Sequence, residues 1–158
     1  MTKSVLLING PNLNMLGTRQ PEIYGYTTLA AIEADCIKRG KSLGLAVRCH
    51  QSNREYEIIE WIQGATKSTD GIIINPAAFT HTSVAILDAL SMFKGPIIEL
   101  HISNPHKREP FRHHSFVTMA ATALICGLGV KGYAVAIDAM AGLLEGEKSG
   151  TAALRGKS

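Results

Sequence analysis

Residues 70–101 read DGIIINPAAFTHTSVAILDALSMFKGPIIELH. The stretch opens on a short apolar run ending in Asn75, continues with helical apolar spacing over 80–93, turns at Gly95 and closes on a second apolar run ending in His101. Runs that are apolar on both faces suit a parallel sheet covered on both sides, and a helix between two of them makes the crossover. The same alternation recurs on either side. Strands are predicted over 4–9 (SVLLIN), 45–51 (LAVRCHQ), 70–75, 96–101 and 121–126 (ATALIC), and helices over 27–42, 54–67, 80–93 and 131–144.

Five such units with right-handed crossovers predict an α/β fold, a flavodoxin-like doubly wound five-stranded parallel sheet of order 2-1-3-4-5. Ligands of such sheets bind beyond the carboxyl ends of the strands, which places residues 9–14, 75–81 and 99–103 around one crevice. Two segments break the alternation. Residues 10–26 form a loop rich in Gly, Pro and Asn, longer than most strand-to-helix joints, and residues 102–115 carry Pro105, Pro110 and a heavy load of His and Arg. Residues 1–146 are expected to form one catalytic domain and 147–158 a flexible tail.

With 158 residues the chain has room for one core. Lys and Arg total 16 against 13 for Asp and Glu, and the resulting +3 is spread along the chain, which does not favour a nucleic-acid or membrane-surface partner. Charged residues make up only 18%, against about 25% in an ordinary soluble domain. Either the surface is unusually neutral or other subunits cover part of it. Residues 1–9 have neither a signal-peptide core nor a cleavage site, and Cys36, Cys49 and Cys126 fit no disulfide framework or CxxC pair, so a cytoplasmic protein with reduced cysteines is expected.

Two motifs mislead. Gly127-Leu-Gly-Val-Lys-Gly132 spells GxGxxG, but the acidic residue that should follow about twenty positions on would fall in the tail, where no strand is predicted. Gly40-Lys-Ser-Leu-Gly44 spells GxSxG, yet it joins a helix to a strand, the reverse of a nucleophile elbow. Five of the six histidines lie between 81 and 114, without the tight ligand spacing of a zinc site, so no metal is expected.

The informative constellation is elsewhere. Asn12, Arg19 and Tyr24 share the loop after the first strand, and His81, Asp88, Glu99, His101 and Arg112 belong to the segments around the same crevice. Each has an ordinary reading: a turn residue, a solvated charge, a packing ring. Together they supply an acid, a base and anion receptors without an evident nucleophile, which points to proton-transfer chemistry.

Three blocks, residues 9–25 (NGPNLNMLGTRQPEIYG), 74–88 (INPAAFTHTSVAILD) and 99–115 (ELHISNPHKREPFRHHS), closely resemble type II 3-dehydroquinate dehydratase, with likeness from about residue 4 to 144. The resemblance implies a cofactor-independent hydro-lyase of the shikimate or quinate pathway, assembled as a homododecamer from trimers. It would remove water from 3-dehydroquinate by anti elimination through an enolate. It also implies roles. Tyr24 would take the proton at C2, its phenol helped to ionise by Arg19. Asn12 would stabilise the enolate oxygen, His101 would protonate the departing hydroxyl and Glu99 would orient or charge His101. Asn75, His81, Asp88, Ile102, Ser103 and Arg112 would hold the substrate, with Arg112 on its carboxylate. Residues 19–26 would act as a lid.

Departures from the family pattern are small: Phe79 stands where many members have Tyr, and Glu55-Tyr-Glu57 lacks a frequent glycine. An unrelated enzyme class performs the same net reaction through a lysine Schiff base. The lysines here are expected on helices, turns and tail, which argues against that route. A flavin- or phosphate-binding module of the same fold is the rival reading. It is weakened because the 10–17 loop offers Pro and Asn in place of a phosphate-cradling Ser/Thr and Gly run.

Overall fold

The structure, a computed structural model, describes residues 2–18 and 20–148, without the side chains of Ile23, Tyr24, Glu147 and Lys148. Five strands, β1 (Lys3–Asn9), β2 (Leu45–Gln51), β3 (Gly71–Asn75), β4 (Ile97–His101) and β5 (Ala123–Cys126), pair in the order β2-β1-β3-β4-β5, all parallel. The predicted order 2-1-3-4-5 is therefore the observed one. β3 and β4 are buried at every position, because helices cover both faces of the sheet centre.

Alternate residues of each central strand feed opposite layers. Val5, Leu7, Ile73, Ile98 and Leu100 pack under helices α2 (Leu29–Ser42) and α5 (Lys131–Lys148), α1 being the single turn Pro21–Tyr24. Leu6, Ile8, Ile72, Ile74 and Ile97 pack under α3 (Glu55–Ser68) and α4 (Val84–Ser91). Each buried Ile or Leu contributes about 2 kcal/mol relative to exposure, so these two layers dominate the stability.

The helix predicted over 80–93 begins later. Ser83 is extended (φ −98°, ψ 94°) and its hydroxyl accepts the Ile86 N–H at 2.9 Å, an N-cap that starts α4 at Val84. Before it, Ala77–His81 forms a 3-10 turn, and the buried Thr80 turns its hydroxyl towards Glu99. At the other end α5 continues to Lys148, past the position 144 at which the apolar period stops, since Glu and Lys extend a helix without needing a core to face. Residues 147 and 148 are thus helical, and the rest of the expected tail lies outside the described residues.

Both irregular segments are tied down at the carboxyl ends of the strands. Leu13 and Leu16, in and after the 3-10 turn Leu13–Met15, are buried in the α2–α5 layer. Gly10 donates its N–H to the Asn75 carbonyl at 2.8 Å, and a Cβ there would sit 2.5 Å from the Pro76 carbonyl oxygen, so only glycine lets the two loops touch. Residues 102–119 fold as three 3-10 turns, Pro105–Lys107, Pro110–Arg112 and Val117–Met119, the first two opened by their prolines.

Candidate active site

A cavity of about 240 Å³ opens where β1, β3 and β4 end. Asn12, Asn75, His81, His101, Ile102, Ser103 and Arg112 line it. Glu99 stands one step back on β4, buried behind His101, in the wall of a second cleft of about 250 Å³ that shares His81, His101 and Arg112. Asp88 is exposed on α4 and does not line this cavity. Arg19, and the side chain of Tyr24 at the end of α1, lie outside the described residues.

Strand geometry sets the central pair. Glu99 and His101 are two apart on β4, so their side chains leave the same face, and His101 Nε2 lies 2.5 Å from Glu99 Oε2. Three hydroxyls surround the same carboxylate: Ser115 Oγ at 3.0 Å and Thr80 Oγ1 at 3.3 Å from Oε2, and Thr118 Oγ1 at 2.5 Å from Oε1. Burial pushes the Glu99 carboxyl up, but hydrogen bonds from His101, Thr118 and Ser115, with the charge of His101, outweigh it and hold it below the ordinary carboxylate value. Glu99 is therefore an anion, Nε2 carries the proton it accepts, and Nδ1 is the His101 nitrogen left for a bound molecule.

His81 is fixed in the opposite sense. Its Nδ1 is 2.8 Å from the His114 carbonyl, which can only accept, so Nε2 is its free nitrogen. Arg112 donates from Nε to Glu109 at 3.0 Å, which leaves its terminal nitrogens available for a carboxylate. Asn75 is held at both ends of its amide: Nδ2 donates to the Tyr133 hydroxyl at 2.9 Å, and Oδ1 accepts the Ala77 N–H at 3.2 Å. The Tyr133 hydroxyl passes its own proton to Asn9 Oδ1 at 2.7 Å. Burial pushes the Tyr133 phenol up, so it remains a donor. Asn12 has left-handed backbone (φ 69°), and its N–H donates at 2.9 Å to Asn53 Oδ1, which Gln51 also holds at 3.2 Å.

Sequence reasoning passed over several of these groups. Arg108 lines the cavity and donates to Ser103 Oγ at 3.3 Å, a second cation where only Arg112 was singled out. Tyr133, Thr80, Ser115 and Thr118 hold other site residues without lining this cavity themselves, apart from what they touch. Their only signal in the chain is a polar atom on a residue otherwise suited to a core or a turn. Among the described residues, no lysine lines the cavity. Among the described residues, no group of three or more His, Cys, Asp or Glu is placed to hold a metal ion. Gly132 of the GxGxxG run would put a Cβ 3.0 Å from Leu100 Cδ1, so it serves the packing of α5 on β4.

Residues 3–141 match the model of the family Dehydroquinase class II. The chain belongs to the class II dehydroquinases. It is 61% identical over 131 residues to 3-dehydroquinate dehydratase 2 of Agrobacterium fabrum, covering 83% of this chain and 89% of that protein. It is 60% identical over 141 residues to catabolic 3-dehydroquinase 1 of Aspergillus fumigatus, covering 89% and 94%. The crystal structure of type II dehydroquinase from Propionibacterium acnes superposes with a TM-score of 0.86 at 46% identity, over 90% of this chain and 98% of that one. This class II dehydroquinase thus shares its fold across nearly the whole sheet and helix framework. No helix among its described residues is long and apolar enough to cross a membrane.

Proposed function

We propose that this dehydroquinase is a hydro-lyase that converts 3-dehydroquinate to 3-dehydroshikimate by anti elimination through an enolate, with no covalent intermediate and no cofactor. The observation that carries the reading is His101 at the cavity wall, its Nε2 held by buried Glu99 and its Nδ1 free for the substrate. Tyr24, as phenolate stabilised by Arg19, takes the proton from C2, and the electron pair moves into the carbonyl to make the enolate. Asn12, fixed by Asn53, stabilises the developing oxyanion. The enolate then expels the C1 hydroxyl, which leaves as water with the proton from His101 Nδ1. Proton transfer from Tyr24 back to His101 by way of solvent resets the site.

Arg112 takes the substrate carboxylate with its terminal nitrogens, and Asn75, His81 and the Ile102–Ser103 backbone hold its hydroxyls. Asp88, the remaining substrate-binding candidate, is exposed on α4 and off this cavity, so it would reach substrate only from across a contact between subunits. Val84 and Met92 flank the same helix with half-exposed side chains, and Met119 is 74% exposed, which supports assembly into the expected homododecamer of trimers. A cytoplasmic setting suits the three free cysteines. The reaction belongs equally to the shikimate pathway and to quinate breakdown.

The purified chain with 3-dehydroquinate should generate enone absorbance, and borohydride added with substrate should leave no lysine adduct. A trapped lysine would refute the noncovalent route.

A further inference from the structure

The hydroxyls around Glu99 can be given directions by counting protons. Thr80 Oγ1 and Ser115 Oγ are 2.7 Å apart, and each also lies within reach of Glu99 Oε2, at 3.3 Å and 3.0 Å. A hydroxyl has one proton to give, so two protons cannot serve three contacts. The shortest complete arrangement sends the Thr80 proton to Ser115 and the Ser115 proton to Glu99. Thr118 adds its hydroxyl to Oε1 at 2.5 Å, while its backbone N–H reaches Ser115 Oγ at 3.3 Å. Glu99 therefore receives three donors: Ser115, Thr118 and His101.

A carboxylate that is 1% exposed and lacks donors takes up a proton, and the nearest is the one on His101 Nε2. That transfer would leave a neutral imidazole, whose remaining Nδ1 proton is far less acidic than that of the imidazolium and so a poor donor to a departing hydroxyl. Hydroxyl donors favour the ionised carboxylate and oppose the transfer. We propose that Thr118 and Ser115 are positioning residues for the acid of this site: their hydroxyls hold Glu99 as a fixed anion, so the proton between Glu99 and His101 stays on the imidazole. The inference rests on His101 acting as the acid.

Neither residue lines the substrate cavity; both line the second cleft, behind His101. The other titratable or charged groups around that cleft are His81, His106, Arg112, His113, His114 and Cys126. His81 is turned to the His114 carbonyl, His113 to the Arg108 carbonyl and Arg112 to Glu109. Glu99 accepts from His101 and the hydroxyls instead, and its carboxyl lies below the ordinary value in keeping with that set of donors.

The test uses the full chain with Thr118→Val, Thr118→Ser and Ser115→Ala. Carbon-13 NMR of labelled glutamate, with the Glu99 signal assigned through Glu99→Gln, follows the carboxyl through pH without substrate. The Glu99 midpoint should rise by about one pH unit in Thr118→Val, the worth of one hydrogen bond to a charged acceptor. In the same variant kcat should fall about tenfold with KM held within about twofold, and Thr118→Ser should restore both. Ser115→Ala should move the midpoint the same way, and it carries the test if Thr118→Val does not fold. An unmoved midpoint, or a change in KM alone, overturns the inference. If His101→Ala is inactive while Thr118→Val behaves as the parent, this inference alone fails. If His101→Ala keeps parent turnover, the acid assignment fails with it.

Discussion

His101 Nε2 sits 2.5 Å from Glu99 Oε2 on the same face of β4, and the carboxylate is buried while the imidazole reaches the cavity. Glu99→Gln keeps the shape and removes the charge, so His101 loses the anion that its Nε2–H faces. Turnover should fall about a hundredfold or more with little change in KM. Steady-state kinetics on the variant check this; a loss confined to KM would place Glu99 in binding instead.

The same carboxyl makes stability depend on pH. Its folded value lies below 4.5, its ordinary value, so its ionised form contributes stability that is fully present above about pH 4.5 and is lost as pH falls through the folded value. Denaturant unfolding between about pH 6 and pH 3 should therefore show a steeper loss of stability on acidification for the parent than for Glu99→Gln. Parallel curves would show that Glu99 is not held ionised.

Tyr133→Phe removes one hydroxyl from two amides at once. Asn9 Nδ2 has no partner among the described residues, so the variant leaves a buried amide with neither end bonded to them and should cost about 1–3 kcal/mol in unfolding experiments. Asn75 loses the acceptor that orients it, and KM should rise by about threefold to tenfold with a smaller effect on kcat.

Burial, then Asp35 and Glu33, pushes the Cys36 thiol up to about 12, and burial, then Glu33, pushes Cys49 up to about 12 as well. The thiolate is the reactive form, so both should alkylate at pH 8 about a thousandfold more slowly than a free thiol in the native protein and at the ordinary rate after unfolding. Mass spectrometry of iodoacetamide-treated protein checks this residue by residue.

The sheet was readable because its centre is extreme: Ile72, Ile73, Ile74 and Ile98 are fully buried, and no surface helix produces such runs. The start of α4 was misplaced because Thr80 suits a helix by spacing, whereas its hydroxyl is spent on the Glu99 network and the cap falls to Ser83. Asp88 travels in a block that marks the site, yet α4 turns it to solvent and away from the cavity of its own chain, a placement that the block's residues do not reveal. Tyr133 reads as core from its helical spacing; its partner Asn75 is 58 residues away, beyond any local pattern. Thr118, 19 residues from Glu99, looks like a turn residue until the fold brings the two together.

The central claim is that His101 delivers the proton that removes water. Following enone absorbance from 3-dehydroquinate with His101→Ala, beside the parent, tests it directly. The account expects turnover to drop by about a thousandfold or more while the variant keeps its fold and still binds substrate. Growth of absorbance near the parent rate would contradict it.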